Sequence, residues 1–497
     1  MKIVPASQTL SLILKTFQDT IVPTLQTAET KDAANLIQTA LSDLLRRQGP
    51  GFDLLQKCLD LGHSLRIEIL EFLIAHGKTQ PSVPNGISNG HAAAPGDFET
   101  LASAHSKLTH EIETLCIELS SIREPETGDL LRKAAHWEAE YYKLISQTTV
   151  VPFEESVNGA EENKAQGLSS EFLQTLMSER HGPLEIESFS SLPGGYGGKQ
   201  TYFTTVVYAD GRREELVIRK TGPVPPVTHS NFNLEEEYSF LRCLAETDFP
   251  APHPIELFIK DSRLDGSFYT MNRLPGKVPG TWLGGGSEKV SEEVLFQLAE
   301  LLAKLHRTPT KVFAEHVERY ETPDSVTETI SDRYRGLLKA WKKYAAEVEH
   351  LPSPFTEWLF HWLESHIPHD DRSPVPIHGD FFVHNTLVNE EGRITSVLDW
   401  ECADLAAPEQ DIAYVQPHVI KHMDWDKFVA HYLASGGQKL NQESFGFCFA
   451  FAIMRIFLAG NRSSLNLQRG INRDLRFVMM ELGFAGALMQ MGLNCTQ

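Results

Sequence analysis

Residues 375–388 read VPIHGDFFVHNTLV and place several polar side chains where an apolar run ends. The first apolar run stops at His378, Gly379 and Asp380, and a second begins at Thr386. This pattern predicts either a catalytic loop or a turn that collects hydrogen-bonding side chains. The residues that follow the stretch bear on this choice.

A second acidic position belongs to the same compact unit. Residues 389–392 (NEEG) predict a tight turn, and residues 394–398 (ITSVL) predict a strand that ends at Asp399. Asp380, Asn385 and Asp399 then all lie at strand ends, where two carboxylates and one amide can converge. Transfer of a phosphoryl group needs such a point, because one Asp orients the attacking hydroxyl while amide and carboxylate oxygens hold Mg²⁺.

The motif H-G-D-x-x-x-x-N followed by L-D-W-E resembles the aminoglycoside phosphotransferase and choline kinase-like family, which has a protein-kinase-like fold. The resemblance covers roughly residues 168–497. It implies Asp380 as the catalytic base or hydroxyl-orienting residue, Asn385 and Asp399 as Mg²⁺ ligands, and ATP or GTP as the donor. The predicted fold class is α+β, with a β-rich N-lobe and a helical C-lobe after an all-α helical bundle.

Three further residues around the motif have proposed roles. His378 is expected to brace the loop through backbone hydrogen bonds. His384 matches no fixed position of the family, so we expect a solvent-facing or pocket-lining histidine. Asp411 resembles a family Asp that supports the catalytic loop; the alternative is an acid favoured by the dipole at a helix N-terminus.

A glycine-rich segment precedes the β-rich region. Residues 192–203 read LPGGYGGKQTYF, and backbone amides of such a loop can approach phosphates because glycine has no Cβ. The glycines expected to cover the nucleotide are Gly194, Gly195, Gly197 and Gly198. An ordinary hairpin turn is the alternative. The resemblance implies a Ser-Asn pair where Gly197-Gly198 or Lys199 stands, so only backbone contacts to phosphate are expected.

The resemblance also implies a cation for the phosphates and a segment for the base. The run ELVIRK offers Arg219 or Lys220; its overlay on the kinase V-A-I-K pattern favours Arg219, with Lys220 as a surface residue. Glu237 resembles the helix glutamate that pairs with this cation, and a solvated helix face is the alternative. The backbone groups expected to bond the base are those of Met271, Asn272 and Arg273.

Composition excludes several classes of function. The formal net charge of −21 argues against binding to nucleic acid or to anionic membranes, because both are bound through clustered Lys and Arg. Six scattered cysteines without a C-x-x-C pair argue against a structural zinc site and a disulfide framework. The amphipathic N-terminus does not resemble a signal peptide, and no apolar run approaches the length of a membrane span. A cytoplasmic location is therefore expected.

Composition shifts predict the domain organisation. They indicate an all-helical domain (1–148) with a flexible insert (77–97) and a linker (149–167). The family resemblance implies a kinase-like N-lobe (168–275) and a kinase-like helical C-lobe (276–497) beyond the linker. We expect the N-terminal domain to bind a protein partner or form a homodimer, with a purely structural appendage as the alternative.

Three functions are compatible with these motifs. The first is a kinase that phosphorylates a hydroxyl group of a small molecule, such as an aminoglycoside, an amino alcohol, a sugar or a hydroxyacyl-CoA. The second is an inactive nucleotide-binding scaffold, against which the intact trio of Asp380, Asn385 and Asp399 argues. The third is a protein kinase, which the missing Arg at Gly379 argues against. Segment 310–366 carries both charge signs and leaves the acceptor open.

Overall fold

The chain divides into two compact units. The computed structural model describes residues 10, 13–26, 28–47, 50–78, 98–146, 168–192, 198–222, 233–259, 266–279, 290–320, 328–469, 471 and 484–496. The first unit comprises Met1–Val151, Leu338–Ile367 and Ile453–Gln497, and the second comprises Pro152–Leu337 and Pro368–Ala452. Residues 79–97 of the predicted insert and the whole predicted linker 149–167 lie outside the described residues. The predicted domain boundaries stay predictions.

Helices dominate the chain outside one sheet. In chain order they are α1 (Ala28–Arg47), α2 (Pro50–Ala75), α3 (Phe98–Leu119), α4 (Pro125–Ser146), α5 (Ser170–His181), α6 (Leu234–Leu244), α7 (Glu292–His306), α8 (Ala314–Tyr320), α9 (Ile330–Glu347), α10 (Pro354–Ser365), α11 (Pro408–Val419), α12 (Trp425–Ala434), α13 (Ser444–Gln468) and α14 (Gly486–Cys495). Short 3₁₀ and π turns, such as Phe17–Ile21, occur between them.

The first unit is all-helical and contains α1 to α4, α10 and α14. The apolar repeat of α3 is buried: Leu108, Ile112, Leu115 and Leu119 are at most 1% exposed. Their spacing of three and four residues puts them on one helix face, which packs into the core of this unit. Helix α10 begins after Ser353, whose side-chain oxygen accepts a hydrogen bond from the Thr356 N–H group.

The second unit contains the sheet. Strands β1 (Leu184–Leu192), β2 (Lys199–Tyr208), β3 (Arg213–Thr221), β4 (Pro254–Phe258) and β5 (Phe268–Asn272) form an antiparallel sheet of order β1-β2-β3-β5-β4. A hairpin joins β2 and β3. Gly211 has a φ of +84°, which a residue without a Cβ adopts easily.

The two faces of the sheet pack against different partners. Ile218 lies in a core cluster with residues of α5, whereas its neighbour Val217 lies in a cluster with residues of α6 and α7. Because side chains alternate along a strand, Arg219 shares the face of Val217. The α6 face of the sheet is therefore the one that can contribute side chains to a site with Phe381 and Trp400, which belong to the same cluster.

Two small two-stranded sheets contain the two ends of the motif VPIHGDFFVHNTLV. Strand β6 (Val375–Ile377) pairs with β9 (Asp404–Ala406), and β7 (Thr386–Val388) pairs with β8 (Ile394–Val397), both antiparallel. Gly276 has a φ of +136°, and a Cβ there would lie 3.0 Å from that of Leu387. Only glycine allows the chain after β5 to pass this close to β7.

One helix modifies the expectation about membrane spans. Among the described residues, α13 is long and apolar enough to cross a membrane by length and composition. Within its most apolar window, 67% is buried inside the protein. Such burial is usual for a core helix.

Candidate active site

The loop between β6 and β7 is held by a single carboxylate. Asp411, in the first turn of α11, accepts hydrogen bonds from the His378 N–H group (2.9 Å) and the Gly379 N–H group (2.7 Å). Gly379 has a φ of +79°, so the loop turns sharply at a position where a side chain would be strained. The structure thus places Asp411 directly beneath the loop that the sequence analysis expected it to support.

Asp411 is itself fixed by a buried chain of hydrogen bonds. The Tyr432 hydroxyl accepts from the Gln438 N–H group and lies 2.9 Å from Nδ1 of His306. His306 donates from Nε2 to Asp411 Oδ2 (3.2 Å). These hydrogen bonds hold the pKa of Asp411 below its usual range although burial alone raises it. The sequence analysis missed His306, because the last residue of α7 carries no local sign of this contact.

His378 braces the loop through backbone groups. It is fully buried, its Nδ1 accepts from the Asp380 N–H group (3.2 Å), and its Nε2 donates to the Leu398 carbonyl oxygen (2.8 Å). Both ring nitrogens thereby contact backbone groups. The hydrogen bond to Leu398 also connects the loop to the end of β8.

Asp380 receives several donors. Nδ2 of Asn385 donates to Asp380 Oδ2 (2.9 Å), Nε2 of His384 lies 3.3 Å from Oδ1, and the Tyr414 hydroxyl forms a further hydrogen bond. Burial raises the pKa of Asp380, but the charge and hydrogen bond of His384 and the bond from Tyr414 outweigh it and bring the pKa to about 2. The carboxylate is 29% exposed and remains ionised near neutral pH.

Of the two alternatives for His384, a solvent-facing or a pocket-lining histidine, the solvent-facing one is wrong. Its side chain is 8% exposed, and it contacts Asp380 within a 3₁₀ turn formed by Val383–Asn385. A turn of this kind brings residues four apart together, so the spacing between Asp380 and His384 is the signal that could have revealed the contact. His384 Nδ1 is buried and has no hydrogen-bond partner among the described residues.

Asp399 is brought to the loop by the residue before it. The Leu398 N–H group donates to the Asn385 carbonyl oxygen (2.7 Å), while the Leu398 carbonyl accepts from His378. Asp399 has a φ of 59° and a ψ of 69°, the only positive φ of a residue other than glycine among the described residues. Left-handed backbone at a strand end gives the side chain a direction different from that in an extended strand. Such a conformation is frequent in functional sites.

The oxygen atoms of Asn385 and Asp399 suit a magnesium ion. Nδ2 of Asn385 is committed to Asp380, so Oδ1 faces away from it, and only one oxygen of Asp399 is bonded to Arg219. Hard oxygen donors of this kind are what Mg²⁺ prefers. No group of three His, Cys, Asp or Glu side chains that could hold a metal occurs in the described part of the chain. Two protein ligands fit a magnesium ion whose other ligands come from water and phosphate.

Arg219, and not Lys220, points to this site. Nη2 of Arg219 lies 2.7 Å from Asp399 Oδ1 and 3.4 Å from Glu237 Oε1. Lys220 lies on the opposite face of β3, is 1% exposed and donates to the Thr221 carbonyl oxygen. The expectation that Lys220 is a surface residue is therefore wrong, since the sheet buries both faces of β3.

Glu237 is buried in α6 and paired with cations. Its carboxylate accepts from Lys199 Nζ (2.6 Å) and from the Tyr269 hydroxyl (2.8 Å). Burial raises the pKa of Glu237, but the charges of Arg219 and Lys199 outweigh this and bring the pKa to about 2. The alternative of a solvated helix face is excluded for Glu237, which is 4% exposed.

Lys199 and Glu401 were not predicted as site residues. Lys199 Nζ lies 3.1 Å from Glu401 Oε2, and Arg219 lies 3.6 Å from the same oxygen. Burial raises the pKa of Glu401 to about 7, with Lys199 opposing and Asp399 reinforcing the shift. Glu401 ends the L-D-W-E motif, and its position two residues after Asp399 is a signal that could have been used.

The structure describes only some of the residues in the two segments expected to contact the nucleotide, the glycine-rich segment and the segment that bonds the base. Gly194, Gly195 and Gly197 lie outside the described residues, whereas Gly198 has a φ of +73°. The Asn272 N–H group donates to the His253 carbonyl oxygen. The Arg273 N–H group donates to the Glu215 carbonyl oxygen, and Met271 lies opposite Val217 in the β3–β5 ladder, so a base at this segment must bond other backbone groups.

Comparison with known proteins identifies the family. The profile of the phosphotransferase enzyme family (APH) matches residues 197–447, which is half of the chain. The chain belongs to this phosphotransferase family. The family resemblance and the α+β, protein-kinase-like fold class predicted from the sequence are thereby confirmed.

Curated relatives of this chain are much longer proteins. Acyl-CoA dehydrogenase family member 11 of Gallus gallus is 26% identical over 237 residues, which are 46% of this chain and 29% of that protein. Member 10 of Mus musculus is 27% identical over 238 residues, which are 47% of this chain and 20% of that protein. The match thus spans less than a third of the length of either relative.

Solved structures with some similarity are antibiotic phosphotransferases. Macrolide 2'-phosphotransferase MphH from Brachybacterium faecium is 21% identical, with a TM-score of 0.40 over 63% of this chain and 98% of that chain. A spectinomycin phosphotransferase in complex with ADP and spectinomycin is 15% identical, with a TM-score of 0.42 over 66% of this chain and 99% of that chain. Values this low carry no argument about the chemistry of this chain.

Proposed function

We propose that this member of the phosphotransferase family is an ATP- and Mg²⁺-dependent kinase that phosphorylates a hydroxyl group of a small molecule. The observation that supports this most is the clustering of Asp380, Asn385 and Asp399 around Leu398, opposite the Arg219–Glu237 pair. A kinase needs these groups together, because it must orient a hydroxyl group and neutralise phosphate charge at one point.

Each residue of the site has its own role in the proposed reaction. Asp380 accepts a hydrogen bond from the acceptor hydroxyl and aligns its oxygen with the phosphorus atom. Asn385 and Asp399 would hold Mg²⁺, which when bound neutralises charge on the phosphate oxygens. Arg219, positioned by Glu237, supplies a further positive charge that stays on the nucleotide through the reaction. His378 and Asp411 keep the loop in the geometry that this alignment requires.

Asp380 is suited to orientation more than to strong base catalysis. A carboxylate with a pKa of about 2 binds a proton weakly, so it removes the hydroxyl proton only as the new phosphate ester bond forms. This is sufficient for phosphoryl transfer, in which the transition state is loose and the nucleophile needs little activation.

A screen of ATP and GTP consumption tests the proposed function. Purified protein is incubated with Mg²⁺ and aminoglycosides, amino alcohols, sugars or hydroxyacyl-CoA thioesters, and release of the nucleoside diphosphate is measured. We expect at least one acceptor class to increase the rate over that of hydrolysis alone, and the increase to be absent without Mg²⁺. Tight binding of Mg·ATP with no stimulation by any class would instead favour the inactive scaffold.

A further inference from the structure

Lys199 is a buried cation that no motif explains. It begins β2 directly after the glycine-rich segment, and its side chain is 8% exposed. Its ammonium group lies 2.6 Å from Glu237 Oε2 and 3.1 Å from Glu401 Oε2. The residues Lys199, Thr201 and Phe203 share one face of the strand, and Phe203 packs against the same core cluster as Val217.

Arg219 already pairs with the carboxylates of this region. Its Nη2 lies within 2.7 Å of Asp399, 3.4 Å of Glu237 and 3.6 Å of Glu401. Three carboxylates therefore share one guanidinium group, and Lys199 is the second cation among them. Burying both cations in one place has a large desolvation cost, which ion pairing inside a protein often fails to offset. Clusters of buried charges of this kind are frequent in sites that bind a charged ligand.

We propose that Lys199 is a second phosphate-binding residue of the nucleotide site, beside Arg219, and that Glu237 and Glu401 hold its ammonium group in place. The inference rests on the proposed function, and the ligand is a nucleoside diphosphate or triphosphate. An ammonium group has three donors, so two bonds to carboxylates leave one for a phosphate oxygen. Its position after Gly198 puts this donor at the end of the segment whose amides are expected to cover the phosphates.

Glu401 has a second part in this arrangement. Asp399, which would hold Mg²⁺, forms the shortest ion pair of Arg219, whereas Lys199 is held by Glu401 and would keep this partner with the metal bound. The two cations lie on neighbouring strands, β2 and β3, from which both could reach the phosphates. Recognition by two separate cations distinguishes a polyphosphate from a nucleoside, which offers neither of them a partner.

The test compares ADP with adenosine, both titrated calorimetrically into the protein with excess Mg²⁺. Lys199→Met should reduce the affinity for ADP roughly ten- to hundredfold, the loss typical of one charged hydrogen bond, and leave the affinity for adenosine unchanged. Lys199→Arg should recover part of the loss. The exposed Lys427→Met is the control and should bind both ligands like the wild type.

Each outcome of the titration is decisive. Unchanged ADP affinity in Lys199→Met overturns the inference, and so does an equal loss for ADP and adenosine, which indicates a structural role. Where the single variant unfolds, the double variant Lys199→Met/Glu401→Gln removes the unpaired carboxylate and must show the same selective loss. Wild-type protein that binds neither ligand contradicts the proposed function and the inference with it.

Discussion

Single residues at the site have environments that match distinct roles. Asp380 accepts hydrogen bonds from Asn385 and Tyr414 and lies against His384, all of which stabilise its ionised form. Asp399, by contrast, is bonded through one of its oxygens to Arg219, and this is its one side-chain hydrogen bond among the described residues. One carboxylate is thus fixed for orientation, and the other is available to a metal ion.

The pH dependence of the reaction follows from the pKa of Asp380. Because this pKa is lowered to about 2, Asp380 stays ionised as the pH falls from about 8 to about 5. The measurement is kcat/KM for ATP at a saturating concentration of the acceptor. We expect that this constant does not fall in that pH range through protonation of Asp380. A loss of rate with a midpoint near pH 6 that disappears in Asp380→Asn would contradict this interpretation.

Two substitutions of Asp399 separate the effect of its backbone conformation on stability from its role in metal binding. Asn tolerates the left-handed backbone as Asp does, whereas Ala there costs about 1 kcal/mol more. Asp399→Asn should therefore melt near the wild-type temperature but lose Mg²⁺-dependent ADP affinity at least about tenfold. Asp399→Ala should lose the same affinity and be less stable in urea. Full Mg²⁺-dependent binding by Asp399→Asn excludes Asp399 as a metal ligand.

At the scale of elements, the catalytic loop depends on a buried carboxylate of α11. Asp411 accepts from two backbone N–H groups of the loop and from His306 of α7. Its removal leaves three buried donors without a partner, and each such donor costs about 1–3 kcal/mol. Asp411 therefore contributes more to the stability of the folded protein than a single hydrogen bond would.

Asp411→Ala should lower the free energy of unfolding by roughly 3 kcal/mol or more. The measurement is urea denaturation followed by circular dichroism. Asp426→Ala, which removes an exposed acid from the first turn of α12, is the control and should change stability by less than about 0.5 kcal/mol. Equal effects of the two substitutions would show that the loop does not depend on this carboxylate.

An element could be predicted from the sequence where its signals lie within a few residues of one another. The β2–β3 hairpin, the Ser291 cap of α7 and the strand ends around Asp380 could be predicted, because turn residues and capping residues act within a few positions. Lys199 and His306 could not, since their partners lie on other elements. Lys220 was misplaced because alternation predicts a face but not what covers it.

At the scale of the whole molecule, the first unit contains buried acids. Hydrogen bonds offset only part of the cost of removing their carboxylates from water. Glu138 of α4 accepts from the Phe355 N–H group and the Ser353 hydroxyl at the start of α10. Burial raises the pKa of Glu138 to about 8 despite these hydrogen bonds. Burial also raises the pKa of Glu357 to about 7. The composition did not predict these groups, because buried and solvated acids are identical in a sequence.

The stability of the first unit should therefore fall as the pH rises. Between the unfolded pKa of 4.5 and the folded pKa of about 8, the folded state binds a proton at Glu138 that the unfolded state has lost. Glu138→Gln should remove this contribution, on the order of 3 kcal/mol between about pH 5 and about pH 8. Thermal unfolding over this range provides the measurement.

Glu126→Gln, at the exposed start of α4, is the matched control and should keep the wild-type pH dependence. Glu357 still titrates in the Glu138→Gln variant, so a smaller slope of the same sign should remain. A pH dependence that is identical in wild type and Glu138→Gln would show that Glu138 is ionised in the folded protein.

Transfer of the labelled γ-phosphate of ATP to a hydroxyl acceptor tests the central claim most directly. The wild type, Asp380→Ala and the Lys427→Met control are compared at the same Mg²⁺ concentration, after confirming that all three are folded. The account predicts transfer by the wild type and the control, and a loss of about 10²–10⁴-fold in Asp380→Ala. Transfer by Asp380→Ala at the wild-type rate would contradict it.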